Sequence, residues 1–256
     1  MPQTILVLDF GSQYTQVIAR RIREQNVYSK VLPYNSSLSV IKKLNPQGII
    51  LSGGPASVLA KDSPLPTQKI FSLGIPVLGI CYGLQLMGKL LGGEVKKCDR
   101  REYGRSELSI QKGGKLFKGL PKTLTVWNSH GDAIVRIPKG FQGIAQTENS
   151  KFSAIEDVKR KFYGLQFHPE VYHSTQGKLI IKNFLVNTCG CSQNWTPASF
   201  VTETVATLKE QIGDRQVIMA LSGGVDSTVA ATLISKAIGS RLHGIFVDNG
   251  VLRKNE

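Results

Sequence analysis

The sequence predicts an α/β protein. A mostly parallel central sheet with flanking helices and an antiparallel extension is followed by the first part of a second doubly wound α/β nucleotide-binding domain. Three observations predict this. Strand-length apolar runs alternate with segments of helical period over the first ninety residues, which implies parallel strands and right-handed crossovers. From about 95 to 170 the pattern is strand-rich with glycine turns, as an antiparallel extension requires. After a polar, turn-rich stretch, the strand–loop–helix pattern starts again near residue 200.

Taken in order, residues 4–10 read as a strand and roughly 14–25 as a helix with Val17, Ile18 and Ile22 on one side. Residues 48–52 and 75–80 read as further strands. A helix after Cys81 carries Leu84, Met87, Leu90 and Leu91 at helical spacing and closes at Gly92-Gly93. Residues 176–188 read as a closing helix. The expected division is a first domain over 1–190, a linker over 191–199 and an incomplete second domain over 200–256. In the second domain the pattern is helix to about 212, strand 216–221, loop 222–227, helix 228–238 and strand 242–248. Half a sheet buries too little surface to stand alone, so the expectation is the front part of a longer protein.

Of 256 residues, 41% are hydrophobic and the net charge is +14. The charge alone would suit a nucleic-acid binder. Its carriers are scattered through amphipathic segments (Arg20, Arg21, Arg23; Lys42, Lys43; Lys159, Arg160, Lys161) without aromatic interleaving, so anionic small substrates are expected instead. The four cysteines, Cys81, Cys98, Cys189 and Cys191, form neither a CxxC pair nor a zinc spacing. The chain opens directly on a strand-like run rather than a secretory segment, and no stretch approaches the ~20 apolar residues of a membrane span. A reducing, cytoplasmic setting is expected.

The chemistry starts at Gly79-Ile80-Cys81-Tyr82-Gly83-Leu84-Gln85. Cys81 falls where a buried strand turns into a helix, with glycines on both sides, the construction of a nucleophile elbow. Unpaired amides at the helix start favour a thiolate and can stabilise an oxyanion. The Tyr82 amide is the first candidate donor. The second is the Gly54 amide in the turn Ser52-Gly53-Gly54-Pro55. Among His130, His168, His173 and His243, His168 stands out because it precedes Pro169-Glu170. In an extended segment positions i and i+2 share a side, so Glu170 can orient His168 while His168 takes the thiol proton. His173 and His243 are expected to be structural.

The Gly-x-Cys-x-Gly-x-Gln pattern with a downstream His-Pro-Glu resembles the class I glutamine amidotransferases over residues 4–188. The resemblance implies that Cys81 attacks the carboxamide of glutamine, ammonia leaves, and water hydrolyses the glutamyl thioester. It makes His168 base and acid and Glu170 the orienting residue. It also makes Gln85, Ser129, Gly131 and Asp132 glutamine-binding, and a carboxylate at Asp132 suits the α-ammonium of the substrate. Asn128 departs from the family, which often has an apolar residue there.

A second motif, Ser222-Gly223-Gly224-Val225-Asp226-Ser227, follows the apolar strand Val217-Ile218-Met219-Ala220-Leu221. Two glycines let backbone amides converge on phosphate oxygens, and a helix N-terminus adds favourable potential. Ser222, Ser227 and Thr228 supply hydroxyls. Asp226 cannot favour a phosphate and either holds Mg²⁺ or shapes the loop. No Gly-Lys-Ser/Thr ending is present, so this is not the ordinary Walker loop.

The loop resembles that of the ATP pyrophosphatases, which implies ATP and Mg²⁺, with Val247 as the candidate adenine contact. The fusion of the two domains, with Asp9-Phe10-Gly11-Ser12-Gln13-Tyr14 and Val247-Asp248-Asn249-Gly250, is similar to the glutamine-hydrolysing ligase family that aminates XMP. That resemblance implies adenylation of XMP by ATP, amination to GMP, and a homodimer formed through a region after Glu256. A chain of this extent would then keep at most the glutaminase half. Two rival readings are a stand-alone γ-glutamyl hydrolase and a non-catalytic nucleotide-binding module.

Overall fold

The computed structural model describes residues 3–247 in two compact units that divide between Asn194 and Trp195. Of the sequence motifs, Asp248-Asn249-Gly250 lies outside the described residues.

The first unit is built on one nine-stranded sheet. Its strands are β1 (Thr4–Asp9), β2 (Tyr28–Pro33), β3 (Gly48–Leu51), β4 (Val77–Ile80), β5 (Glu94–Ile110), β6 (Thr123–Arg136), β7 (Gln142–Gln146), β8 (Ala154–Asp157) and β9 (Phe162–Leu165). Their order across the sheet is β2-β1-β3-β4-β9-β8-β7-β5-β6. The first five neighbours run parallel, and β8, β7, β5 and β6 continue the sheet antiparallel. The parallel core and its antiparallel extension are as the sequence predicts. However, β9 lies inside the strand-rich interval yet closes the parallel core by pairing with β4. That pairing carries the residues after Leu165 to the end of β4, where Cys81 sits. The Cys81 amide donates to Leu165 O at 2.7 Å.

Helices α1 (Thr15–Arg23), α2 (Leu38–Leu44), α3 (Tyr82–Leu90) and α4 (Gly177–Asn183, continued by a π turn to Thr188) cover the two faces. Side chains alternate along β1: Ile5 and Val7 join Ile18, Ile22, Ile180 and Phe184 on one face. Leu6 and Leu8 join Ile41 and Met87 on the other. Burial on both faces explains why β1 reads as a continuous apolar run. By contrast, β2 is an edge strand with only one fully buried residue, Ser29, so it lacks that signature.

The second unit holds α5 (Pro197–Ile212), β10 (Val217–Leu221), α6 (Val225–Ile238) and β11 (Leu242–Phe246), with β10 and β11 parallel. The α5 helix begins inside the stretch expected as linker. Thr196 caps it by accepting from the Ser199 amide, with proline at the first position. Ile218, Ile245, Phe246 and Val247 are all exposed.

Candidate active site

Cys81 occupies the junction of β4 and α3 with φ +52° and ψ −104°, a backbone conformation that a residue with a side chain rarely adopts. The strain sits on the cysteine itself. Gly79 and Gly83, which flank it, are not at positive φ. They are glycines because nothing larger fits. A Cβ on Gly79 would lie 2.6 Å from Gly83 O, and one on Gly83 would lie 2.3 Å from Leu51 O. Close approach of β3, β4 and α3 forces the sharp turn, and the turn holds the Cys81 side chain in place.

Tyr82 heads α3, where an amide has no acceptor within the helix. The next amide, of Gly83, donates to Ser52 O at 3.1 Å. The Tyr82 ring is buried, with its hydroxyl donating to Pro64 O at 2.8 Å, and burial pushes that hydroxyl up to about 12. Only the backbone of Tyr82 is therefore available to the site. Gly54, Cys81, Gln85, Ser129, Gly131 and Asp132 line one cavity of about 420 Å³. Gly54 and Ser129 are shared with an adjoining cavity of about 360 Å³ lined by Tyr14 and His168.

His168 and Cys81 both pack against Gly53: a Cβ there would lie 3.0 Å from His168 Cε1 and 3.8 Å from Cys81 Cβ. Nδ1 of His168 donates to Glu170 Oε1 at 2.7 Å, and both side chains are buried. The segment is a turn after β9 rather than the extended strand expected, but the two side chains still meet. Burial would lower the imidazole pKa. The Glu170 carboxylate and the Cys81 side chain oppose that and leave it well above its ordinary value. The His168 carbonyl accepts from Ser174 Oγ, its amide donates to Trp127 O at 2.9 Å, and the Tyr14 ring packs edge-on at 5.1 Å. The backbone bonds, Glu170 and the Tyr14 ring together fix the position of this imidazole.

Gln85 Nε2 donates to Asp132 O at 2.8 Å, so Gln85 braces the stretch of β6 that carries Asp132. The cavity lining also includes residues outside the sequence-derived set: Ser57, which donates to Asp132 Oδ2, and Lys97, Cys98 and Arg101 from β5. Gln166, fully buried, directs Nε2 at Cys81 Sγ over 3.8 Å. An uncharged polar residue two positions before His168, at the end of an apolar strand, is the signal that marks it. His130 is buried against Glu102, with Nε2 3.0 Å from Oε2. Burial pushes the Glu102 carboxyl up, but hydrogen bonds from His130 and Thr147 leave it below its ordinary value. His173 stacks on Trp127, and His243 pairs with Gln216.

The class I glutamine amidotransferase family matches residues 6–188. The chain belongs to that family. The solved amidotransferase from Thermotoga maritima shares the fold of this amidotransferase unit, with TM-score 0.59 and 19% identity over 74% of this chain and 99% of the other. A solved protein from Thermoplasma acidophilum, provisionally assigned as one subunit of a GMP synthase, is more similar. Its TM-score is 0.67 and its identity 30%, over 79% of this chain and 98% of that one. Among curated relatives, the glutamine-hydrolysing GMP synthase of Acetivibrio thermocellus is 52% identical over 254 residues, 99% of this chain and 50% of its own length. The chain thus spans about half the length of the curated relatives it matches. The NAD synthase family matches residues 198–254 of the second unit.

In that unit the loop of residues 222–228 is knitted by its own hydroxyls. Ser222 Oγ and Ser227 Oγ lie 3.1 Å apart, and Ser227 Oγ and Thr228 Oγ1 donate to Gly224 O at 3.0 and 2.9 Å. Gly223 has φ +77°. The helix starts at Val225 rather than near Thr228, so Asp226 stands in its first turn, where a negative charge favours the helix. Val247 is exposed. Among the described residues no group of three His, Cys, Asp or Glu is arranged to hold a metal, and no helix is long and apolar enough to cross a membrane.

Proposed function

We propose that this chain is the glutamine-hydrolysing part, with the start of the ATP-using part, of a GMP synthase. The observation that carries the proposal is the buried 2.7 Å bond between His168 and Glu170 beside a strained Cys81. Glu170 fixes Nδ1–H on His168, which leaves Nε2 to take the Cys81 proton. Sulfur then attacks the carboxamide carbon of glutamine, and the oxyanion is received by the amides of Gly54 and Tyr82. His168 returns the proton to nitrogen, the C–N bond breaks, and ammonia leaves. Water, deprotonated by His168, cleaves the thioester to give glutamate and free Cys81. Gln85, Ser129, Gly131 and Asp132 bind the substrate's α-groups, with Asp132 facing the ammonium.

In the whole protein, ATP bound through Ser222, Gly223, Gly224, Val225, Asp226, Ser227 and Thr228, with adenine against Val247, adenylates XMP. Ammonia then displaces AMP to form GMP, and pyrophosphate is released. The loop fits Mg²⁺ in its donor chemistry: one carboxylate, Asp226, beside hydroxyls suits a hard cation that keeps its waters and takes phosphate oxygens. Mg²⁺ neutralises phosphate charge when bound. The setting we propose is a cytoplasmic homodimer that binds neither nucleic acid nor membrane.

Ammonia release from glutamine, assayed beside GMP formation, tests the reading. This chain should release ammonia without GMP, and Cys81→Ala should abolish the release. Equal release by both chains would overturn it.

A further inference from the structure

The cavity has a second thiol. Cys98, on β5, is partly exposed and lines the same cavity as Cys81, between Lys97 and Arg101. Its sulfur lies 3.9 Å from His130 Nδ1, and the opposite ring nitrogen of His130 lies 3.0 Å from Glu102 Oε2. Glu102 also accepts from Thr147 Oγ1 at 2.9 and 3.1 Å, so its oxygens serve as acceptors. An acceptor carboxylate requires Nε2 of His130 to carry the proton, and the Nδ1 lone pair then faces Cys98. This is the Cys–His–carboxylate order of the catalytic cluster, with the roles of the two ring nitrogens exchanged. The group does not meet the geometry of a metal site among the described residues. The mechanism above uses none of its three side chains.

We infer that Cys98, His130 and Glu102 form a modification site at which Cys98 reacts with a hydroperoxide. His130 Nδ1 takes the thiol proton. The sulfur attacks one peroxide oxygen, the S–O bond forms and the O–O bond breaks. Cys98 is oxidised to the sulfenic acid, and the peroxide is reduced. The departing oxygen collects the proton from His130 and leaves as water from hydrogen peroxide, or as an alcohol from an organic hydroperoxide. Lys97 and Arg101 line the same cavity, where their positive charge favours a thiolate, and susceptibility to oxidation follows thiolate character and access. Where the cavity serves glutamine, as proposed above, the added oxygen narrows it. One external thiol condenses with the sulfenic acid to a disulfide, releasing water, and a further thiol cleaves that disulfide and restores Cys98. The chemistry at Cys98 itself does not depend on the catalytic reading of Cys81.

The test is site-resolved mass spectrometry of the chain treated with hydrogen peroxide and a sulfenic-acid trap near neutral pH, folded and again unfolded in urea. Exposure alone can only slow a thiol on folding, whereas the His130 pairing speeds it. Cys98 should acquire the trap faster when folded, by about tenfold, the gain from lowering a thiol by one pH unit. His130→Gln, checked for an unchanged melting midpoint, should remove the acceleration. Equal or slower trapping of Cys98 in the folded chain would overturn the inference, whatever the glutaminase assay shows.

Discussion

Glu170 accepts a 2.7 Å hydrogen bond from Nδ1 of His168 with its carboxylate wholly out of solvent, and its second oxygen, Oε2, has no hydrogen-bond partner among the described residues. The pair therefore concentrates negative charge on one side of the imidazole. Replacing Glu170 by Gln keeps the shape but removes the charge and permits the wrong tautomer. Glutaminase kcat should fall by about 10²–10⁴-fold, the range of a general-base contribution, with little change in the far-UV spectrum. A loss under threefold would argue that Glu170 only packs.

The same pair makes stability depend on pH. His168 is raised well above its ordinary 6.5 in the folded chain. A raised value contributes stability that is fully present below the unfolded value and is lost as pH rises through the folded one. The melting midpoint should therefore fall as pH climbs from about 6.5 into the alkaline range. That decline should be shallower in Glu170→Gln, and parallel profiles for the two chains would contradict this.

Gly83→Ala should cost about 1–3 kcal/mol, because its Cβ would meet backbone Leu51 O at 2.3 Å. Gly113→Ala is the control: it has open space and no positive φ, and its midpoint in urea should not drop. Equal midpoints for the two variants would contradict the close-approach account of the Cys81 turn.

Asn128 is buried on the face of β6 that carries Leu124 and Val126, and neither side-chain polar atom has a hydrogen-bond partner among the described residues. An unpaired buried amide costs about 1–3 kcal/mol, so Asn128→Leu should raise the urea midpoint. A lower midpoint would mean that the amide is satisfied in solution.

These cases mark what the sequence could and could not convey. Cys81, His168 and Glu170 were legible as candidates because a thiol nucleophile with its base would need fixed residue types at fixed spacings, and the structure brings the three together. The parallel core was legible in runs such as Ile5–Leu8, which are buried on both faces. Edge strand β2 and helix α2 were missed because one-sided burial leaves a weak pattern, with Ile41 the sole buried residue of α2. Gln166 and the Glu102–His130 pair were missed for another reason. Their partners lie 85 and 28 positions away, and only the pairings of β9 with β4 and of β5 with β6 bring them together. The glycines flanking Cys81 were legible as the mark of a tight turn, but the contacts that require them were not. Clash with Leu51 and within the turn is a property of packing, which no local pattern contains.

The most direct test of the central claim is covalent trapping with a chloroketone analogue of glutamine, read by peptide mass spectrometry with and without excess glutamine. The account predicts one adduct, on Cys81, that glutamine suppresses and that His168→Ala slows. An adduct confined to other cysteines, or labelling of Cys81 that glutamine does not suppress, would contradict it.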